Sequence, residues 1–100
     1  MKAILYCRTD GPQCESMFDT LNIQRACLMA YAEKKGMEIA EVYMDAGYSG
    51  RTLDRPGLKA VIQAVREGRA DTVLVANRNR LFRDRLPEEF RDLPIHAVKE

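Results

Sequence analysis

Tryptophan is missing from this 100-residue chain, histidine occurs once, and no apolar run approaches the length needed to cross a bilayer. The single His96 has no companion ligand nearby in sequence, so no metal site is expected. The three cysteines, Cys7, Cys14 and Cys27, are an odd set without CxxC spacing. That argues against a disulfide framework and for reduced thiols in a cytoplasmic protein, with Cys7 and Cys27 in apolar segments as core residues. The first residues, Met1 to Tyr6, are too short and too strand-like for a signal peptide, and no membrane partner is expected. An excess of one charge is lacking too: 16 basic and 15 acidic residues leave a net charge of +1. A free-standing DNA-binding module is usually far more basic.

The basic character that exists is local. Asn77-Arg78-Asn79-Arg80-Leu81-Phe82-Arg83-Asp84-Arg85 holds four arginines in nine residues, directly after the apolar run Thr72-Val73-Leu74-Val75-Ala76. Such a run has the composition of a buried parallel strand, and open α/β sheets place ligands at the carboxyl ends of their strands. Guanidinium forks match phosphate oxygens in geometry, so a phosphate-bearing ligand is the first expectation. The plainer reading is a solvated surface loop, since arginine is common on surfaces.

The pattern predicts strands over 3–7, 38–44 and 71–76, with a short fourth over 95–98. Asp19 or Thr20 is placed to cap a first helix running to about Lys35, with Leu21, Leu28, Tyr31 and Ala32 on one face and Gly36 as its stop. Pro56 is placed to open a second helix, in which Leu58, Val61, Ile62 and Val65 share a face and which Gly68 ends. A short helix over 86–92 is limited by Pro87. Gly11-Pro12 breaks regular structure, and Gly47 and Gly50 mark a loop containing Asp45 and Ser49. This alternation implies one domain, residues 1–100, of three-layer α/β/α form with a mainly parallel sheet of about four strands in flavodoxin-like order. Arg8 and Asp10, then Asp45 and Ser49, then Asn79, Arg80 and Arg83 would all leave one edge of that sheet.

The motifs at those positions resemble the catalytic domain of serine site-specific recombinases, the resolvase and invertase family. They are Tyr6-Cys7-Arg8, Leu21-Asn22-Ile23-Gln24, Tyr31-Ala32, Tyr43-Met44-Asp45-Ala46-Gly47-Tyr48-Ser49-Gly50, Asp54-Arg55-Pro56-Gly57-Leu58, and Val73-Leu74-Val75 followed by Asn79-Arg80-Leu81-Phe82-Arg83. The likeness is greatest to the large serine recombinases carried by mobile elements and runs from about Ala3 to Arg83. It implies a bacterial or mobile-element origin and chemistry without metal or nucleotide cofactor. In that family a serine after the first strand attacks a DNA phosphodiester and forms a phosphoserine link, while arginines hold the phosphate. By position, Arg8, Arg80 and Arg83 match the clamping arginines and Asp45 matches a loop acid. Arg78 and Arg85 add basic charge beside them.

Two departures matter. Where the family reads Tyr-x-Arg-Val-Ser, this chain reads Tyr6-Cys7-Arg8-Thr9-Asp10, so Asp10 occupies the nucleophile's place. Where the family has an acid before Arg80, this chain has Asn79. A carboxylate cannot form the phosphoserine link. At about 4 Å from an incoming charge and an effective dielectric of ~20 it would repel by roughly 4 kcal/mol before screening. Asp10 is therefore expected to stand where the phosphate would, holding Arg8, Arg80 and Arg83 together; a turn role beside Gly11-Pro12 is compatible with that. Thr9 has a hydroxyl, but its side chain should alternate away from its neighbours. Cys14 and Ser16 do not match the motif. The resemblance further implies a domain shortened at its C-terminus, with no DNA-binding domain, gripping the DNA backbone weakly alone and pairing with an intact recombinase or with itself. The expected function is a catalytically impaired recombinase domain. An active strand-transfer enzyme with an unusual nucleophile and a non-enzymatic regulatory or interaction module are the alternatives. A response-regulator receiver does not fit, because strand three ends in Ala76-Asn77 rather than an acceptor aspartate.

Overall fold

A strand without polar alternation must be covered on both faces, and β1 (Lys2–Thr9) is buried from Ala3 to Thr9. The computed structural model describes residues 1–9, 15–48, 54–81 and 93–99. Within them β1 is followed by α1 (Glu15–Lys34), β2 (Glu38–Ala46), α2 (Pro56–Arg66), β3 (Thr72–Val75), a 3-10 turn (Arg78–Arg80) and β4 (Ile95–Ala97). The four strands form one sheet in the order β2-β1-β3-β4, and every neighbouring pair is parallel. This is the expected α/β architecture. The turn expected at Gly11-Pro12 and the helix expected over 86–92 lie outside the described residues.

The alternation of β1 divides the core in two. Ala3, Leu5 and Cys7 pack with Leu21, Leu28 and Ala32 of α1 and with Leu74. Ile4 and Tyr6 pack with Leu58, Val61 and Ala64 of α2 and with Val73, Val75, Leu81 and Ala97. The two helices thus lie on opposite faces. The chain leaves β1 toward β2 and returns past β1 to β3, so the direction of winding reverses between β1 and β3. Arg8 and the 3-10 turn flank that crevice at the carboxyl edge.

Both helices end where glycine predicts. At Gly36 (φ 69°) the amides of Gly36 and Met37 donate to the carbonyls of Glu33 and Ala32 at 3.1 and 2.8 Å. Gly68 (φ 73°) repeats the pattern, with Gly68 donating to Val65 and Arg69 to Ala64. These are Schellman closures, which satisfy carbonyls left open at a helix end. The start of α1 differs from expectation. The helix begins at Glu15, a full turn before Asp19 and Thr20. Both residues are exposed, and a cap-forming side chain is tolerated inside a helix when it faces water.

β2 lies at the sheet edge and carries an irregularity. Ala3 pairs with Ile39, but Ile4 pairs with Glu41, so Ala40 is an inserted residue. From Glu41 onward β2 stays in register to Arg8↔Asp45 and Thr9↔Ala46.

Leu28 is fully buried between α1 and the sheet. Leu28→Ala should lower stability by about 2–5 kcal/mol, read as a shift in the urea midpoint with an unchanged slope.

Candidate functional site

Because β1, β2 and β3 run parallel, their carboxyl ends deliver Arg8, Asp45 and the 78–81 turn to one edge. Arg8 is the last residue of β1 on the α2 face, and it is 1% exposed. Its guanidinium donates from Nε to the carbonyl of Arg80 at 2.8 Å, from Nη1 to that of Tyr48 at 2.9 Å and from Nη2 to that of Asn79 at 2.6 Å. One side chain thereby ties the loop after β2 to the turn after β3. Its own backbone is held by Gln24 of α1. The Gln24 side chain accepts from the Arg8 amide at 3.3 Å and donates to the Arg8 carbonyl at 3.1 Å.

Asp45 is not a loop residue: it lies within β2 and is 1% exposed. Its Oδ1 accepts from the Gly57 amide at 2.8 Å. Its Oδ2 accepts from the Leu58 amide at 3.0 Å and from the Tyr6 hydroxyl at 2.6 Å. α2 has no cap from its own N-cap residue, Arg55. Asp45 supplies one from a neighbouring strand, placing a carboxylate against the positive end of the helix.

Arg55 is a member of this site that sequence reasoning missed as a functional side chain. It is fully buried. Nη1 donates to the Tyr6 hydroxyl at 3.0 Å and to the Arg80 carbonyl at 3.2 Å, and Nη2 donates to the Leu81 carbonyl. Tyr6 thus accepts from Arg55 and donates to Asp45, joining two buried charges through one hydroxyl. The signal present in the sequence was the motif Asp54-Arg55-Pro56-Gly57-Leu58, which carries the arginine directly before the helix-opening proline.

The remaining expected residues fall as follows. Arg80 is half-buried, and its Nη1 donates to the Arg8 carbonyl at 3.3 Å. Arg78 and Asn79 are exposed in the 3-10 turn. The structure thus brings together Arg8, Arg80 and the Asn79 backbone, and links Asp45 to them through Tyr6 and Arg55. Asp10, Ser49, Arg83 and Arg85 lie outside the described residues. Thr9 Oγ1 and Asn77 Oδ1 are buried at the same edge without a hydrogen-bond partner. Burial pushes the Cys7 thiol up to about 11, so the thiolate is scarce at neutral pH. Among the described residues no group of three His, Cys, Asp or Glu could hold a metal ion, and no helix is long and apolar enough to cross a membrane.

Two substitutions test this network. A Cβ on Gly57 would sit 2.8 Å from both Asp45 carboxylate oxygens. Gly57→Ala gains up to ~1 kcal/mol of helix propensity but must displace a carboxylate held by three donors. A net loss of about 1–3 kcal/mol is expected, measured by chemical denaturation. For Tyr6, burial, then the hydrogen bond to Asp45, pushes the phenol well above its ordinary value of 10.0. The folded state therefore favours the neutral hydroxyl. That contribution is complete below pH 10 and is lost as pH rises from there through the folded value. Tyr6→Phe should cost about 1–3 kcal/mol at neutral pH and flatten the fall in stability above pH 10, followed by urea titrations across pH 8–11.

Comparison with known proteins bears on what this edge is for. The family model described as Resolvase, N terminal domain, matches residues 3–91. The C-terminal catalytic domain of ISC1926 TnpA, an IS607-like serine recombinase, is similar at a TM-score of 0.84 and 27% identity, over 98% of this chain and 70% of that one. The N-terminal catalytic domain of TP901-1 integrase gives 0.71 and 32%, over 84% of this chain and 60% of that one. A resolvase family site-specific recombinase from Streptococcus pneumoniae gives 0.64 and 25%, over 80% and 55%. No curated protein matches the sequence. With the same fold, and a family match that begins in β1 and passes through Arg8, Asp45, Arg55 and Arg80, the chain belongs to the resolvase family as a serine recombinase-type domain.

Proposed function

We propose that this domain engages the phosphate backbone of DNA at the carboxyl edge of its sheet and is impaired in strand cleavage. The observation that carries the reading is the pairing of a kept electrostatic frame with altered reacting positions. Arg8 and Arg80 meet at the crevice between β1 and β3, while Asp10 and Asn79 stand where the family places its nucleophilic serine and its acid. Arg78, Arg83 and Arg85 extend the basic character of the same segment. Asp45 serves the site from behind, by fixing α2 and Tyr6.

Neighbouring side chains are poor substitutes for a serine. Cys7 and Thr9 alternate with Arg8 along β1 and so belong to the opposite, α1 face of the sheet. The Cys7 thiol is also raised, as described above. A net charge of +1 limits affinity for DNA by the chain alone, since each phosphate contact contributes through released counterions. A cytoplasmic role beside an intact recombinase, or as an assembly with itself, fits that weakness.

The test uses supercoiled DNA bearing the crossover site of the parent element. The purified chain should bind it weakly and with strong salt dependence, and should leave no covalent protein–DNA adduct on a denaturing gel. An adduct formed by this chain alone would overturn the proposed impairment. Asp10→Ser alone should tighten phosphate binding roughly tenfold, as the ~4 kcal/mol of bare repulsion is reduced by screening to about 1.4 kcal/mol; adding Asn79→Asp returns one negative charge to the turn, so the double variant should bind more weakly than Asp10→Ser alone. Asp10→Ser should raise cleavage less than it raises binding. Efficient recombination by the double variant would count against that.

A further inference from the structure

We infer that the free edge of β2 is a self-pairing surface, on which a second copy of this chain adds its own β2 antiparallel about a two-fold axis at Val42. This gives a surface to the self-assembly named above and does not rest on the DNA reading. β2 is the outermost strand of the sheet and pairs with β1 alone. An edge of this kind is a template for another chain, and natural folds guard it with lysine, proline, brevity or a bulge. β2 runs for nine residues, Glu38–Ala46, without lysine or proline. Its irregularity at Ala40 leaves the pairing from Glu41 to Asp45 regular.

The side chains fit the same reading. Val42 and Met44 pair with Leu5 and Cys7 and so belong to the α1 face, yet they are 36% and 40% exposed. Met29 of α1 is 43% exposed. It sits about 200° around the helix from Tyr31, whose hydroxyl meets His96 of β4. With Tyr31 turned toward β4, Met29 is turned toward β2 at the other side of the sheet. Three of the five large apolar side chains exposed among the described residues therefore gather at one edge.

Charge selects both the occupant and its register. The acids of the central part of β2 are already answered within the chain: Glu41 is paired with Arg69 at 3.0 Å, and Asp45 is held by three donors. What the edge offers outward is apolar, so an apolar copy suits it better than a basic partner. A two-fold axis at Val42 sets Val42 against itself, Ala40 against Met44 and Glu41 against Tyr43, with no two acids opposite between Ile39 and Asp45. Moving the axis by one residue sets Glu41 against Glu41, or Glu41 against Asp45, and like charges directly opposite repel. Glu41 Oε2 is buried without a hydrogen-bond partner. In the inferred register its cross-strand neighbour is Tyr43 of the second copy, which carries a hydroxyl donor.

The test is the mass of the whole chain in solution without DNA, followed by sedimentation from about 1 μM to ~1 mM, the range of weak interfaces. The weight-average mass should climb toward that of two chains and no further, because a two-fold pair closes on itself. Val42→Lys sets two ammonium groups against each other at the axis. It should weaken association at least roughly tenfold while leaving the urea midpoint near that of wild type. A second arm does not depend on that variant. In a background of Cys14→Ser and Cys27→Ser, Val42→Cys should be joined into a covalent dimer by a short thiol-reactive cross-linker. Ile23→Cys in the same background, at a site 65% exposed on α1, should not. A chain that stays monomeric at ~1 mM overturns the inference and leaves the DNA reading standing. A dimer that Val42→Lys leaves intact, or that cross-links no better through Val42→Cys than through Ile23→Cys, overturns it as well.

Discussion

The carbonyl oxygen of Arg80 is where the molecule is joined. It accepts from Arg8 at the end of β1 and from Arg55 at the start of α2, so it fixes the turn after β3 against two elements that precede it by 72 and 25 residues. The last carbonyls of a helical turn have no partner within it, and those withdrawn from water must find a donor. Here the donors are cations. Hydrogen bonds of that kind are stronger than neutral ones, and leaving such a charge without partners in the interior would be costly. The turn is therefore held by the same groups that make the edge positive.

That arrangement obliges the fold to provide a counter-charge nearby, and Asp45 does so with three donors on its two oxygens. The carboxylate also completes the N-terminus of α2, which has no cap of its own. Tyr6 mediates between the opposite charges. One hydroxyl accepting from a guanidinium and donating to a carboxylate satisfies all three groups without bringing the ions into direct contact. Gly57 permits the close approach of Asp45 to the helix backbone, since any side chain would meet the carboxylate first.

Much of the fold was legible because it depends on composition. A strand buried on both faces has to be largely apolar, as β1 is from Ala3 to Cys7 and β3 from Val73 to Val75, and the helix ends carry glycine where a left-handed residue is needed. The convergence of Arg8 and Arg80 followed from parallel topology alone. The less legible parts depend on interactions between distant residues. Arg55 precedes a proline that opens a helix, a context in which a charged side chain reads as exposed; its burial is decided by Tyr6 and by two carbonyls 25 and 26 residues away. Asp45 sits beside a glycine-rich loop, and nothing local distinguishes a strand residue capping another element from a loop acid. The start of α1 was misplaced for the opposite reason, since Asp19 and Thr20 carry a strong local signal that solvent exposure makes irrelevant.

The inserted Ala40 has a bearing on all of this. Before it, β2 presents Ile39 toward α1; after it, the phase is reversed, and Asp45 rather than Met44 lies opposite Arg8. The spare residue at one end of an edge strand thus acts as a frame-setter for chemistry at the other end. Were Ala40 not accommodated as a bulge, the same sequence paired continuously from Ile39 would set the Met44 thioether, in place of the Asp45 carboxylate, opposite Arg8.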